Sequence, residues 1–356
     1  MYVKMFRGLI SAAMMAALYL APASVMALEL DVYGVAHLSA DSNDDGYNSS
    51  IYVASNSSRL GFKGHQDLGN DLSVLFQYES GVDLTGRGTN DGNGPGTANN
   101  LFTTSRDAYV GLSSNFGTVT AGRMGILNQW VYDFNLFADQ VGDLGNFWGS
   151  TGIPGRDNGV LAYATPDLGN GFDALVAYVP ENGKDGEDNL VVKLNYSDFG
   201  LKLNGAYARL GQGPVKSEHN VAAIIASYNM GGFTLGGGYQ TEFDIEGTSG
   251  NDRDSYTVGF SYQVIKNGVI KAQYSYSTVD TLNGDAGQIA VGYDHALGKA
   301  TTLYLAYART DNEANAKFTA NNYGHGQAVN PFADGSDPFS FSIGLVHKFN
   351  ASLSNI

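Results

Sequence analysis

From Leu28 onward, hydrophobic and polar positions alternate with a period of two. Tyr256, Val258, Phe260, Tyr262 and Val264 share one parity, and Thr257, Gly259, Ser261 and Gln263 the other. Ile270, Ala272, Tyr274 and Tyr276 alternate with Lys271, Gln273, Ser275 and Ser277. Leu190, Val192, Leu194 and Tyr196 do the same, as do Leu72, Val74, Phe76 and Tyr78 against Ser73, Leu75, Gln77 and Glu79. Successive side chains of a strand point to opposite faces, so each segment predicts a strand with one apolar and one mostly polar face.

The connections decide what these strands build. Short turns fall at 66–70, 115–117, 166–170, 198–200, 230–232, 265–268 and 297–300, and nearly all combine Gly with Asn or Asp, the chemistry of tight hairpins. Longer, more polar connections lie between them at 41–47, 81–104, 124–157, 181–187, 211–217, 244–252, 280–284 and 312–337. Seven short turns and eight long loops predict sixteen antiparallel strands of about ten residues, with short turns on one rim and long loops on the other. That is an all-β, 16-stranded transmembrane barrel. A soluble sandwich would alternate too, but its polar faces should carry more charge. Here they carry Gly, Ser, Gln and Asn, which suits a water-filled lumen. Tyr33, Tyr52, Tyr78, Tyr109, Tyr163, Tyr178 and Phe349 recur near strand ends, as interfacial aromatic girdles require. Closure also leaves no unpaired edge in lipid.

Composition agrees. The 356 residues include 47 Gly, 22 Tyr, 18 Phe and no Cys, with only 15% charged. Lys4 and Arg7, the apolar stretch 8–20 and Val25-Met26-Ala27 predict a cleaved export signal over 1–27. Its removal takes the formal charge from −15 to −17, which argues against a nucleic-acid partner.

One connection is unlike the others. Residues 124–157 hold the only two tryptophans, Trp130 and Trp148, with Asp133, Asp139 and Asp143 and no basic residue between Arg123 and Arg156. So long an insert is generally functional or disordered, and its Val131, Tyr132, Phe134, Leu136, Phe137 and Phe147 need a surface to pack on. The expectation is a third long loop folded into the lumen, narrowing it.

Several segments together resemble the general, non-specific porins of the Gram-negative outer membrane. They are Ser57-Ser58-Arg59-Leu60-Gly61-Phe62-Lys63-Gly64 before Asp67-Leu68-Gly69-Asn70, then Arg106-Asp107-Ala108-Tyr109-Val110-Gly111-Leu112. Phe116-Gly117-Thr118-Val119, Gly122-Arg123, Asn322-Tyr323-Gly324-His325-Gly326 and Phe341-Ser342-Ile343-Gly344-Leu345-Val346-His347-Lys348-Phe349 complete the set. The resemblance spans residues 28–349. It implies an outer-membrane homotrimer in contact with lipid and lipopolysaccharide, inserted by the barrel-assembly machinery, passing small hydrophilic solutes and ions by passive diffusion. It also implies an assembly signal ending at a terminal aromatic, so 350–356 read as a short tail.

A charge filter needs opposed fixed charges where the lumen is narrowest. Asp133, Asp139 and Asp143 are candidates for one wall. Arg59, Lys63, Arg106, Arg123 and Arg156 are candidates for the other. Arg59 and Lys63 share a face opposite Leu60 and Phe62. Arg106 and Arg123 have the parity of the lipid-facing Ala108, Val110, Val119 and Ala121, where an arginine costs about 2–4 kcal/mol at mid-membrane. Each therefore needs a bulge, or a place past a strand end. No catalytic, cofactor or metal site is expected: Asp41-Ser-Asn43-Asp44-Asp45-Gly46 starts like a calcium loop but Tyr52 stands where a glutamate belongs, and His37, His65, His219, His295, His325 and His347 show no ligand spacing. The competing functions are a substrate-specific channel for an anion or oligosaccharide and, further off, a barrel enzyme.

Overall fold

The computed structural model describes residues 28–87, 101–149 and 152–354. The expected export signal, residues 1–27, lies outside them, as does 88–100 of the second long loop. The described chain forms one sheet of seventeen strand segments, and every paired couple in it is antiparallel. They are β1 (Leu28–Asp44), β2 (Ser49–Ser55), β3 (Arg59–Gly69), β4 (Leu72–Val82), β5 (Phe102–Ser114), β6 (Gly117–Met124), β7 (Asp157–Ala164), β8 (Phe172–Val179) and β9 (Asn189–Asp198). Then come β10 (Leu201–Leu210), β11 (His219–Asn229), β12 (Phe233–Phe243), β13 (Arg253–Ile265), β14 (Gly268–Val279), β15 (Ala286–Ala296), β16 (Thr301–Asn312) and β17 (Phe339–Ser354).

The segments make sixteen staves, because β2 and β3 both pair with β1 and are two halves of one. Leu38 faces Ser55 while Val35 faces Arg59, so 56–58 insert one extra residue, with Ser57 at φ 46°. This bulge lets Arg59 and Gly61 turn to the same side as His37 and Ser39. The ring closes where β1 pairs with β17.

Exposure is inverted relative to a soluble sheet. On β13 and β14, Tyr256, Val258, Phe260, Tyr262, Ile270 and Tyr274 are exposed, whereas Ser255, Thr257, Lys271, Gln273, Ser275 and Ser277 are buried. The apolar row points outward and the polar row into the barrel. An outer band of that kind is stable only against lipid.

Two expectations need correction. Residues 350–354 are not a tail: β17 runs on through Ser354, with Asn350 opposite Tyr33 and Ser354 opposite Glu29. Strand β1 begins at Leu28 and offers ladder positions that only those residues fill. The interior is also not polar throughout. Val160, Ala162, Ala177, Val179, Val191, Ala208, Val221 and Ile225 line the inner face of β7–β11 and are buried.

That apolar wall receives the long insert between β6 and β7. A 3-10 turn (Gln129–Phe134) and the short helix α1 (Gly145–Trp148) carry Trp130, Val131, Phe147 and Trp148 into one cluster with it. Each large side chain so buried contributes about 1.5–3 kcal/mol. Gly236 and Gly238 on β12 leave room where the Phe134 and Trp148 rings lie, space a Cβ would fill.

Candidate functional site

The insert is fixed to the wall by polar contacts as well as by packing. Trp130 Nε1 donates to Gln240 Oε1 at 2.7 Å, and Gln240 Nε2 donates to the Trp148 carbonyl at 2.9 Å. Further along, Gln273 Oε1 accepts the Leu136 N–H at 3.1 Å, and Lys271 Nζ donates to Gln140 Oε1 at 2.9 Å. The insert thus occupies the β7–β15 side of the barrel.

A second connection joins it. Residues 313–338, between β16 and β17, place Ala316, Ala320, Asn321 and His325 in buried positions. The Asn146 side-chain Oδ1 accepts the N–H groups of Asn322 and Tyr323, each at 2.9 Å. On the wall side, Ser57 Oγ donates to the Gly324 carbonyl at 2.9 Å, and the Gly326 N–H donates to Asn56 Oδ1 at 3.0 Å. This loop reads from sequence as a polar connection; its buried glycines and asparagines instead bridge the insert to the β2–β3 break.

Between these loops and the β3–β5 wall lies a cavity of about 280 Å³. Arg59, Glu79, Arg106, Asp107 and Arg156 line it from the wall, and Gln129, Tyr132, Asp139, Tyr323 and Gly324 from the loops. Signs alternate along the wall. Arg106 Nε donates to Glu79 Oε1. Arg59 reaches Glu79 at 3.9 Å and, across the gap, Asp139 at 3.6 Å. Arg156 Nε donates to Asp107 Oδ1 at 2.6 Å. Tyr132 and Tyr323 stand side by side, ring centroids 6.3 Å apart. Three guanidiniums and three carboxylates thus line one confined space.

Four of the eight sequence candidates are brought together here: Arg59, Arg106, Arg156 and Asp139. Arg106 arrives by a bulge. Tyr78 pairs with Ala108 but Ser80 with Ser105, so Arg106 and Asp107 together oppose Glu79 and both reach the interior.

The other four lie outside the cavity. Lys63 lies two pleat repeats beyond Arg59 along β3, beside Asp31 at 3.9 Å and over the Tyr33 ring. Arg123 keeps its outward parity, opposite Ala108, and donates to the Ser105 carbonyl at 2.9 Å and to Asn158 Oδ1 at 2.7 Å. Asp133 faces the far wall, where Lys193 pairs with it at 2.7 Å; burial raises its pKa above the usual carboxylate range, against the pull of Lys193. Asp143 is fully buried within the insert. Its oxygens accept the N–H groups of Asp139 and Gly145 and the Asn135 amide, while burial, then the Asp139 charge, push its pKa up to about 7. It holds the loop's shape.

Sequence reasoning missed Glu79, Asp107, Tyr132 and Tyr323 as lining residues. Glu79 had a signal, as the one charged residue on the polar face of its strand.

A family model described as Gram-negative porin matches residues 11–315. The outer membrane porin protein 32 of Delftia acidovorans is 30% identical over 320 residues, covering 84% of this chain and 88% of that protein. Among solved structures, the anion-selective porin from Comamonas acidovorans superposes with a TM-score of 0.79 at 24% identity, over 90% of this chain and all (100%) of that one. OmpT of Vibrio cholerae in its trimer form gives 0.67 at 17% identity, covering 91% of this chain and 100% of that one. Matched in this way over most of its length, and closed into a barrel with an apolar outer band, the chain belongs to the Gram-negative porin family and is an outer-membrane channel for passive diffusion.

Proposed function

We propose that the cavity between the insert and the β3–β5 wall is the eyelet of the channel and filters small hydrophilic solutes by charge as well as by size. The observation that carries this is the set of three arginines and three carboxylates around about 280 Å³. Inside a confined space these charges are screened less than in bulk water. The wall alone, with Arg59, Arg106 and Arg156 against Glu79 and Asp107, has an excess of one positive charge. Asp139 on the loop side offsets it. A relative described as anion-selective superposes on this chain, but the balance found here favours weak ion selectivity.

The working unit in this reading is a homotrimer in contact with lipid and lipopolysaccharide, inserted by the assembly machinery, and its action is passage without chemical conversion. Single-channel recording in a planar bilayer tests it. Conductance in steps of three, with a reversal potential close to zero under a salt gradient, is expected. A folded protein that conducts nothing overturns the pore reading, and a strong reversal potential of either sign overturns the balanced eyelet.

A further inference from the structure

We infer that Tyr132 and Tyr323 form a stacking site for flat aromatic rings, and that small aromatic carboxylates are held there more firmly than saturated acids of the same charge and carbon skeleton. The inference rests on the pore reading above and names a solute class for it.

The two rings come from different loops and are fixed separately. In the 3-10 turn of the insert, Trp130, Val131 and Phe134 are buried, while Tyr132 is left on the cavity side, 41% exposed. Tyr323 belongs to the 313–338 connection and is half-buried. Its backbone N–H is held by Asn146 Oδ1 at 2.9 Å, and its ring lies where Cβ atoms on Gly145 and Gly149 would stand. Two glycines at the ends of α1 thus leave a flat seat on the insert for this ring. Tyr132 stands beside it, with centroids 6.3 Å apart and the planes at 41°. Both rings line the cavity, and Arg59, Arg106 and Arg156 line it from the wall.

A planar ring entering this space gains contact with the tyrosines. Aromatic pairs with centroids about 4.5–7 Å apart attract each other beyond the area they bury. Its other face meets guanidiniums, which are planar and stack on aromatic faces. A saturated ring has no π-face and makes neither interaction. The arginines draw the carboxylate of either acid alike, so charge does not separate the two. Apolar affinity does not favour the aromatic acid either, because the saturated ring carries more C–H surface. The face of the ring is what distinguishes them. At about 280 Å³ the cavity falls at the lower end of the range for small-molecule sites.

The test uses the refolded full chain in a planar bilayer, with benzoate and cyclohexanecarboxylate as probes at neutral pH. Each is added at rising concentration to a constant potassium chloride background. The quantity read is the concentration giving half of the maximal reduction in single-channel current. Benzoate is expected to act at about fivefold lower concentration, the factor of one aromatic pair. Tyr132→Leu should bring the two concentrations together. Tyr132→Phe, which keeps the ring and loses only the hydroxyl, should keep the preference. Equal effects of the two acids on the unaltered protein, including none from either, overturn the proposal. So does a preference that survives Tyr132→Leu or is lost in Tyr132→Phe. A folded chain that carries no current at all overturns the pore reading instead.

Discussion

Asp143 accepts the backbone N–H of Asp139 at 2.7 Å, so the residue that faces Arg59 across the cavity is aimed by a carboxylate that does not line it. The same carboxylate accepts the Gly145 N–H at 2.7 Å and the Asn135 side chain at 2.8 Å. One buried group therefore sets the curvature of the insert where it turns back from the cavity.

This coupling makes loop order depend on pH. Burial holds the Asp143 pKa up to about 7, while a detached loop titrates near about 3.9. Between those values the packed loop binds the extra proton, so its stability rises as pH falls from about 7 towards about 4 and is level below. Hydrogen exchange at the Asp139 and Gly145 amides, corrected for intrinsic rates, is expected to be better protected at about pH 5 than at about pH 8. Protection that increases with pH would contradict the assignment.

Gly236→Val should lift the insert off the wall. The new side chain takes the place of the Phe134 ring, and overpacking of this kind costs about 1–3 kcal/mol. Because both tryptophans of the protein lie on the insert, intrinsic fluorescence reports on it directly. Acrylamide quenching should be weak in the unaltered protein, where Trp130 and Trp148 are buried, and strong in the variant. Equal quenching in the two would show that the insert does not depend on this contact.

Asn146→Ala should widen the eyelet without unfolding the barrel. It removes the acceptor shared by the Asn322 and Tyr323 N–H groups, leaving two donors unsatisfied at about 1–3 kcal/mol each. Tyr323 and Gly324 then lose their tie to the insert, and single-channel conductance should rise while the thermal midpoint of the barrel stays within a few degrees. An unchanged conductance would mean that the second loop is held from the wall side alone.

Deleting 350–356 should weaken the closing seam. The ladder from Tyr33–Asn350 to Glu29–Ser354 is lost, at about 1 kcal/mol for each hydrogen bond. Heat unfolding in detergent should show a lower midpoint than the full chain, and an equal midpoint would make those residues dispensable.

The strands were legible because period-two patterning and turn chemistry are local. Tyr256–Val264 and Leu190–Tyr196 fall within β13 and β9 with the faces their patterns assign. The site was half legible for the opposite reason. Parity fixes which side a residue takes only while the ladder is regular, and Arg106 reaches the cavity through a bulge that no sequence pattern announces. Asp139 and Asp143 lie four residues apart on one loop, yet one meets Arg59 and the other turns into the core. That difference accompanies packing of 137–142 against β14, β15 and β16, segments distant in the chain. Tyr323 and Gly324 belong to a segment that carries the family resemblance, but their position depends on Asn146, far away in sequence.

The seam between β1 and β17 makes the barrel an all-or-nothing object. A chain lacking its final stave has two open edges, one of them the unpaired side of its first strand, so no shorter length of it forms a sealed wall. The closure that seals the wall also means that where the polypeptide is cut matters little to the ring. Joining the ends across the β1–β17 seam and opening the chain at the Phe199–Gly200 turn would leave every strand with both neighbours. The order in which the staves are made is thus separable from the order in which they stand.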